Sequence, residues 1–308
     1  MRVVGFVLGL FLFLPYVLAA ERIRVGLLPI LDGLPVYVAE EMGYFKEGGV
    51  NVEVVPCASA SERDQLLAGG KVDVVINDAV SLALLNRERP WVVGMRYAFL
   101  PTRDYAQFFI ISSPKSNIKA VSDLKGVPIG VSEATIVHYV TERLLERQGF
   151  SKTDIKIVPV LRIPDRLSAL LRGELSCATF PDPFGTLAMM QGGRLILDDR
   201  RDPSFSGSLY SATEKFARER SQALRGFLSS IDRAIKEVNG NKGRWERLVF
   251  EKKLIPSPLQ GAYRIPDFPP PGVPTREQWT DVLLWLRQKG IARQGSSYEE
   301  SIRPEYGR

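Results

Sequence analysis

Polar side chains follow three predicted strands in the first part of the chain. The strands span residues 23–28, 50–55 and 72–76, and a polar segment comes shortly after each of them. In an open parallel sheet, ligands lie beyond the carboxyl ends of the strands. We therefore expect a first group of ligand-binding residues at these ends: Asp32, Gly33, Leu34, Ser59, Ala60, Ser61, Asn77 and Asp78.

This group suits hydrogen bonding to a small polar molecule. Gly33 has no side chain, so the backbone can approach a ligand closely. The hydroxyl groups of Ser59 and Ser61, with the free amides of a helix start, can hydrogen-bond an anion. The same serines and Asp78 also suit the N-cap positions of the helices that follow. Ligand contact and helix capping therefore both stay open for these three residues.

A second group follows two predicted strands further along, at residues 127–131 and 175–180. Ser132 and Thr135 stand at the start of a long predicted helix, where they can form a cradle for a sulfonate, carboxylate or phosphate. Glu133 and Asp182 favour instead an amine, an amidine-like ring nitrogen or a hydroxyl donor, because like charges repel at close range. A simple anion, a zwitterion and a polar heterocycle therefore all remain open as ligands.

Aromatic and basic side chains complete the second group. Phe108, Tyr139 and Phe180 can stack on a ring, although aromatic residues beside strands also commonly belong to a core. Arg166 can pair with a carboxylate, either on the ligand or on the opposite lobe. The second predicted group thus comprises Phe108, Ser132, Glu133, Thr135, Tyr139, Arg166, Phe180 and Asp182.

The sequence contains no recognised arrangement of catalytic or metal-binding residues. His138 is the only histidine, and no Cys-x-x-Cys or His-x-x-x-His motif accompanies it. Neither Gly-x-Ser-x-Gly nor a phosphate-binding loop is present. The 41 basic and 35 acidic residues are interleaved, without a long basic run or a nucleic-acid motif. We expect no catalytic residues, no metal, no cofactor and no nucleic-acid partner.

Two successive α/β units position these residues. Strands alternate with helices from residue 23 to residue 95, and the same alternation begins again at residue 127, which predicts parallel sheets wrapped by helices. A polar segment near residues 197–211 is expected to cross back to the first unit. We predict lobe 1 at 21–112 plus 208–308, with C-terminal helices packed on it, and lobe 2 at 113–207.

The first 20 residues have the three parts of a cleaved signal peptide. Arg2 is their only charge, an apolar run follows, and small residues end at Ala19 and Ala20. The run is shorter than the roughly 20 apolar residues that span a bilayer. We expect cleavage near Ala19 or Ala20 and, with no cysteine for a lipid anchor near the cut, a free periplasmic protein.

Cys57 and Cys177 are the only two cysteines, and the predicted compartment permits a disulfide. A bond between different lobes would join parts that must move against each other. We therefore expect free thiols.

Four segments in order resemble the solute-binding proteins of ABC importers in the nitrate/sulfonate/taurine and thiamine-precursor class. They are GLLPILDGLPVYVAEEMGYFKEGGVNVEVVP, GGKVDVVINDAVSLALLN, AVSDLKGVPIGVS and RLSALLRGELSCATFPDPFG, and the resemblance covers residues 22–290. It implies a type II periplasmic-binding-protein fold, an α/β fold with two lobes, two crossing segments as a hinge, and a ligand cleft. This chain has Ser176-Cys177-Ala178 where the motif usually has Asp-Ala-Ala, and Asp182-Pro183 in place of Glu-Pro. These departures leave the identity of the ligand open.

The resemblance and the predicted site residues lead to one expectation about function. We expect a monomeric receptor, not an enzyme, that captures a sulfonate- or taurine-like anion or a thiamine-precursor-like heterocycle and delivers it to an ABC permease. Glu133 and Asp182 favour the heterocycle. The alternatives are a cleft enzyme that resembles the lyases of the menaquinone pathway, and an exported sensory ligand-binding module.

Overall fold

The computed structural model describes residues 20–201 and 206–307. The predicted signal peptide, apart from Ala20, lies outside the described residues. Among the described helices, none combines the length and the apolar character that a membrane crossing requires.

Ten strands form two five-stranded sheets. The first sheet has the order β2-β1-β3-β10-β4 and the second β7-β6-β8-β5-β9. Strands of the first sheet are β1 (Glu21–Leu27), β2 (Val50–Pro56), β3 (Val74–Asp78), β4 (Val92–Phe99) and β10 (Ser208–Thr213). Strands of the second are β5 (Phe108–Ser112), β6 (Pro128–Val131), β7 (Lys156–Pro159), β8 (Cys177–Pro181) and β9 (Arg194–Asp198).

Each sheet is mostly parallel and contains one antiparallel strand. In the first sheet, β10 runs antiparallel to both β3 and β4, and in the second, β5 runs antiparallel to both β8 and β9. The remaining pairs are parallel. These sheets, with helices on their faces, confirm the predicted two-sheet α/β fold. We call the first sheet with its helices the first lobe, and the second sheet with its helices the second lobe.

Helices cover both sheets. Those before the second sheet are α1 (Leu34–Glu41), α2 (Tyr44–Glu47), α3 (Ala60–Ala68) and α4 (Ala79–Leu85). The second lobe contains α5 (Ile136–Arg147), α6 (Ile163–Arg172) and α7 (Phe184–Met190). The C-terminal part contains α8 (Glu214–Glu219), α9 (Ser221–Gly240), α10 (Glu246–Glu251), α11 (Arg276–Gln288) and α12 (Tyr298–Ser301).

The C-terminal helices pack on the first lobe, as predicted. Helix α9 contacts α1 and α2, and α11 contacts α4. Gly48 and Gly226 permit the first of these contacts, because a Cβ atom added to Gly226 would lie 2.2 Å from the Gly48 carbonyl oxygen. Helix α11 also bonds to α5 of the second lobe, since Arg143 donates to both carboxylate oxygens of Asp281 at 2.8 and 3.0 Å.

The chain passes between the sheets twice, through residues 100–107 after β4 and between β9 and β10, where the described residues are 199–201 and 206–207. Asp199 ties them together, because its Oδ1 accepts hydrogen bonds from the backbone amides of Gln107 and Phe108 at 2.8 and 3.2 Å. The predicted boundary at residue 112 assigned strand β5 to the first lobe, whereas β5 pairs with β8 and β9 in the second sheet. We therefore propose that the first crossing, ahead of Phe108, separates the lobes.

Cys57 follows β2 and Cys177 begins β8, so each cysteine belongs to a different sheet. Both thiols are free and buried, which agrees with the expected free state.

A closed acidic cleft between two sheets

A cavity of about 90 Å³ lies between the lobes, at the carboxyl ends of the parallel strands. Ala60, Asp78, Thr135 and Leu161 line it and also line an outer chamber of about 780 Å³. The inner cavity and the outer chamber therefore adjoin one another. Nine of the sixteen predicted ligand-binding residues line the inner cavity: Asp32, Ser59, Ala60, Asn77, Asp78, Phe108, Ser132, Thr135 and Asp182.

The other predicted residues lie outside the inner cavity. Ser61 and Glu133 line the outer chamber. Gly33 and Leu34 are buried at the start of α1, Tyr139 and Phe180 are fully buried in the core, and Arg166 lies beneath Ser132. The structure does not bring these five to the cavity wall.

A buried guanidinium organises the first-lobe wall of the cavity. The Nη1 of Arg63 donates to the Ile76 carbonyl at 3.0 Å, and its Nη2 donates to the Ser81 hydroxyl at 3.1 Å. Its Nε bonds Asp64 at 2.9 Å, and Asp78 lies 3.9 Å from Nη2. Arg63 is only 4% exposed. Its donors are thus directed at its own lobe.

Asp32 and Asp78 give this wall its acidic character. Asp78 caps α4, accepting from the Ser81 amide at 2.8 Å. Burial raises the pKa of Asp78, and the charge of Arg63 opposes that shift. Burial also raises the pKa of Asp32 to about 7, while Arg63 and the Ser208 hydroxyl lower it. A donor or cation placed beside Asp32 would stabilise its ionised form.

Asp182 is the acidic group of the second-lobe wall, and it is held by hydroxyl groups. Tyr105 donates to its Oδ2 at 2.5 Å and Thr186 to its Oδ1 at 2.5 Å. Tyr263, from the proline-rich segment 255–274, also donates to Oδ2. Burial raises the pKa of Asp182 despite these three donors. The bond from Tyr263 joins the C-terminal part of the chain to the second lobe.

The predicted anion cradle is occupied by contacts within the second lobe. The Ser132 hydroxyl donates to the Leu161 carbonyl at 2.8 Å and accepts from Arg166 at 2.9 Å. The Thr135 hydroxyl donates to the Ser132 carbonyl at 2.7 Å and caps α5 by accepting from the Val137 amide. Both hydroxyl protons are therefore engaged, and neither hydroxyl offers a free donor to an anion.

Arg166 supports this loop from below. Its Nη1 also donates to the Val160 carbonyl at 2.6 Å, and its guanidinium lies over the Phe180 ring at 5.3 Å. Burial lowers the pKa of Arg166 to about 10. The structure places it behind Ser132, and a direct contact with a ligand remains a prediction.

Among the polar residues at or near the cavity, sequence reasoning missed Arg63, Gln107, Ser206, Ser208 and Tyr263. Arg63 lies in the hydrophilic segment ASERDQLLA, where nothing in the pattern distinguishes a buried arginine from an exposed one. Gln107 lines the cavity, and its buried Oε1 has no hydrogen-bond partner among the described residues. Its position in a crossing segment was the available signal. Within residues 20–201 and 206–307, no group of three or more potential ligands is placed to hold a metal ion.

Solved structures with the periplasmic-binding-protein fold superpose on this chain. The periplasmic aliphatic sulphonate binding protein SsuA of Escherichia coli superposes with a TM-score of 0.76 at 18% identity, covering 92% of both chains. The desulfurization enzyme DSZB superposes with a TM-score of 0.71 at 12% identity, covering 93% of this chain and 97% of the enzyme. This fold therefore occurs in both a binding protein and an enzyme.

Sequence comparison identifies the family. Residues 32–241 match the NMT1/THI5-like family, and the chain belongs to it. One relative, the "Putative aliphatic sulfonates-binding protein" of Escherichia coli, is 27% identical over 53% of this chain, which spans half of that relative's length. Another, the "Putative thiamine biosynthesis protein" of Haemophilus influenzae, is 24% identical over 74% of this chain and 79% of the relative.

Proposed function

We propose that the protein is an exported solute receptor that closes two lobes on a small polar molecule and delivers it to an ABC permease. The enclosed cavity supports this role, because walls from both lobes and from the crossings can contact one ligand together only when the lobes are closed. Binding then shifts an open–closed equilibrium toward the closed state. The sulfonate-binding relative supports the same role.

The ligand we propose is a heterocycle that carries amino or protonated ring-nitrogen donors. The observation that carries this choice is the acidic wall: Asp32 and Asp78 face the cavity from one lobe and Asp182 from the other. The hydroxyls of Ser132 and Thr135 have no free proton to donate, and the donors of Arg63 are directed at its own lobe. A bare sulfonate would lie among carboxylates with few donors to solvate it.

Thermal unfolding with a panel of solutes tests both parts of the proposal. The panel contains aminopyrimidines, thiamine, taurine, an alkanesulfonate and nitrate. A solute at a hundred times its dissociation constant stabilises the folded state by roughly 2.7 kcal/mol. We expect an aminopyrimidine to raise the melting temperature and the Asp32→Asn variant to abolish the rise. Asp165→Asn, a change of an exposed carboxylate on α6, serves as the matched control.

The outcomes separate the proposals. Stabilisation by taurine or the alkanesulfonate alone would keep the receptor role and reject the heterocycle. Turnover of a panel solute without stabilisation would favour a cleft enzyme, for which the fold shared with DSZB and the buried acids on opposing walls are the supporting observations.

Location and partner are tested separately in cells. We propose that the chain is released into the periplasm after cleavage near Ala19 or Ala20, where it acts as a monomer. Osmotic-shock release of a protein beginning at residue 20 or 21 is the expected result. Uptake of the stabilising solute by reconstituted permease vesicles, dependent on this protein, would distinguish delivery from a sensory role.

A further inference from the structure

The single histidine of the chain lies directly beneath the cleft loop, residues 132–135. His138 is in the first turn of α5 and is only 4% exposed. Within the loop, Ala134 adopts φ = +58°, a left-handed conformation that is strained for a residue with a Cβ atom. Strained backbone persists only where surrounding contacts hold it.

His138 supplies the contact that holds this backbone. Its Nδ1 accepts a hydrogen bond from the Ala134 amide at 3.3 Å. Because an amide N–H can only donate, Nδ1 must be unprotonated, and in the neutral imidazole the proton then lies on Nε2. The Nε2 atom faces Glu142 Oε1 at 3.2 Å, where it donates. The geometry thus selects one tautomer.

Glu142 links His138 to the other lobe. Its Oε2 accepts from the Trp285 indole at 2.7 Å, and its Oε1 also accepts from the Lys289 ammonium. Burial alone would raise the pKa of Glu142, but the hydrogen bonds from His138, Lys289 and Trp285 outweigh it and lower the pKa to about 2. The Trp285 ring meets the His138 ring edge-on at 5.1 Å. Trp285 belongs to α11, which packs on α4 of the first lobe.

We infer that His138 is a positioning residue that couples the cleft loop of the second lobe to helix α11 on the first. The contacts run from Trp285 and Lys289 through Glu142 and His138 to Ala134, and the loop forms one edge of both cleft chambers. Docking of α11 on α5 therefore fixes the loop shape that a ligand meets. The functional meaning of this coupling rests on the proposed receptor role, whereas the tests below need no ligand.

The tautomer can be observed directly. Because His138 is the only histidine, the imidazole nitrogens of protein purified without a histidine tag give one unambiguous set of ¹⁵N signals. We expect a protonated Nε2 and an unprotonated, hydrogen-bonded Nδ1. A protonated Nδ1, or averaged shifts from rapid tautomer exchange, would overturn the inference.

A matched pair of substitutions distinguishes the effect of losing the hydrogen-bond acceptor at His138 from the effect of losing its packing. His138→Asn retains an acceptor near the Nδ1 position, and His138→Leu fills similar space without one. We expect Ala134 amide exchange to accelerate at least about tenfold in the leucine variant and less than about threefold in the asparagine variant. The Val140 and Leu144 amides on α5 report general loosening. Equal exchange at Ala134 in both variants, or a uniform rise along α5, would contradict the positioning role.

The coupling between lobes has its own test. Trp285→Phe keeps an aromatic ring at this position but removes the indole N–H that donates to Glu142. The control is Leu284→Ala, which changes an exposed residue of the same helix. We expect only Trp285→Phe to change the His138 ¹⁵N shifts and to accelerate exchange at Ala134. Unchanged signals in a folded Trp285→Phe protein would confine the role of His138 to its own lobe. If all three results hold while no solute stabilises the protein, the receptor proposal alone fails.

Discussion

Arg63 shows how one side chain balances several buried charges. Its guanidinium contacts Asp64 and Asp78, and its charge also lowers the pKa of Asp32. A buried guanidinium is favourable only while these carboxylates and acceptors surround it, and the carboxylates in turn depend on it. The buried carboxylates of the cleft wall therefore depend on Arg63, a residue that sequence patterns did not indicate.

Replacing Arg63 should severely destabilise the protein. Arg63→Met leaves the carboxylates of Asp64 and Asp78 without their cation, and removing one member of a buried ion pair costs about 3–5 kcal/mol. Urea unfolding measures the loss. Arg162→Met removes an exposed guanidinium and should change stability by less than about 0.5 kcal/mol. Equal losses of unfolding free energy in the two variants would show that the buried contacts of Arg63 do not contribute to stability.

Asp32 should make stability fall as the pH rises. Its pKa is about 7 in the folded state and 3.8 when unperturbed, so between these values the folded state binds the extra proton. Stability contributed by that proton is present below the lower pKa and is lost as pH rises through the upper one, by up to about 4 kcal/mol. Asp32→Asn should therefore gain stability relative to the unmodified protein from pH 4 to pH 8. Parallel pH profiles would contradict the raised pKa.

Among the elements, the proline-rich segment 255–274 has a defined role despite its lack of long regular structure. Tyr263 projects from it and donates to Asp182 of the second lobe, beside the hydroxyl of Tyr105. The segment therefore helps to hold Asp182 in its conformation at the cleft, although the two are far apart in sequence.

Removing the Tyr263 hydroxyl should weaken this attachment. Tyr263→Phe leaves Asp182 with two donors in place of three, which should raise the pKa of Asp182 further and cost about 1–2 kcal/mol in unfolding free energy. Tyr37→Phe is the control substitution, because the Tyr37 hydroxyl makes no hydrogen bond to any described residue. A stability loss no greater than that of Tyr37→Phe would argue against the attachment.

Elements were predictable where their pattern is local. Ser59 and Asp78 do cap the helices that follow them, whereas Ser61, the third predicted cap, lies within the first turn of α3. The apolar segment FFIIS forms β5, but nothing in its pattern encodes which sheet it joins or its direction, so the predicted boundary at residue 112 left it in the first lobe. Ser132 and Thr135 line the cavity, but the contacts that engage the Ser132 hydroxyl come from Leu161 and Arg166, about 30 residues away.

At the scale of the whole molecule, hydrogen bonds on two sides join the lobes. Tyr263 bonds Asp182 beside the cavity, and Asp281 of α11 accepts from Arg143 and Tyr139 of α5. The two-lobed plan itself was predictable, because the strand and helix alternation occurs twice. These bonds join residues 81 to 142 positions apart and have no local signature.

Weakening both attachments should open the molecule. In the double variant Tyr263→Phe and Asp281→Asn, a combined loss of about 2 kcal/mol would change the open–closed ratio about 30-fold. Small-angle X-ray scattering should show a larger radius of gyration. Asp267→Asn, which removes the exposed partner of Lys242 away from the cleft, should leave the scattering unchanged. An unchanged double variant would mean that other contacts set the closed state.

The two buried thiols make each lobe separately observable. Burial raises the pKa of Cys57 to about 11 and that of Cys177 to about 12, so both remain protonated and inert toward alkylating reagents near neutral pH. A reagent can then modify Cys57 only when the structure around the end of β2 opens transiently, and Cys177 only when β8 does. The alkylation rate of Cys57 therefore reports how often the first lobe opens locally, and the alkylation rate of Cys177 reports the same for the second lobe. The native chain thus carries one chemical probe in each lobe and needs no engineered label.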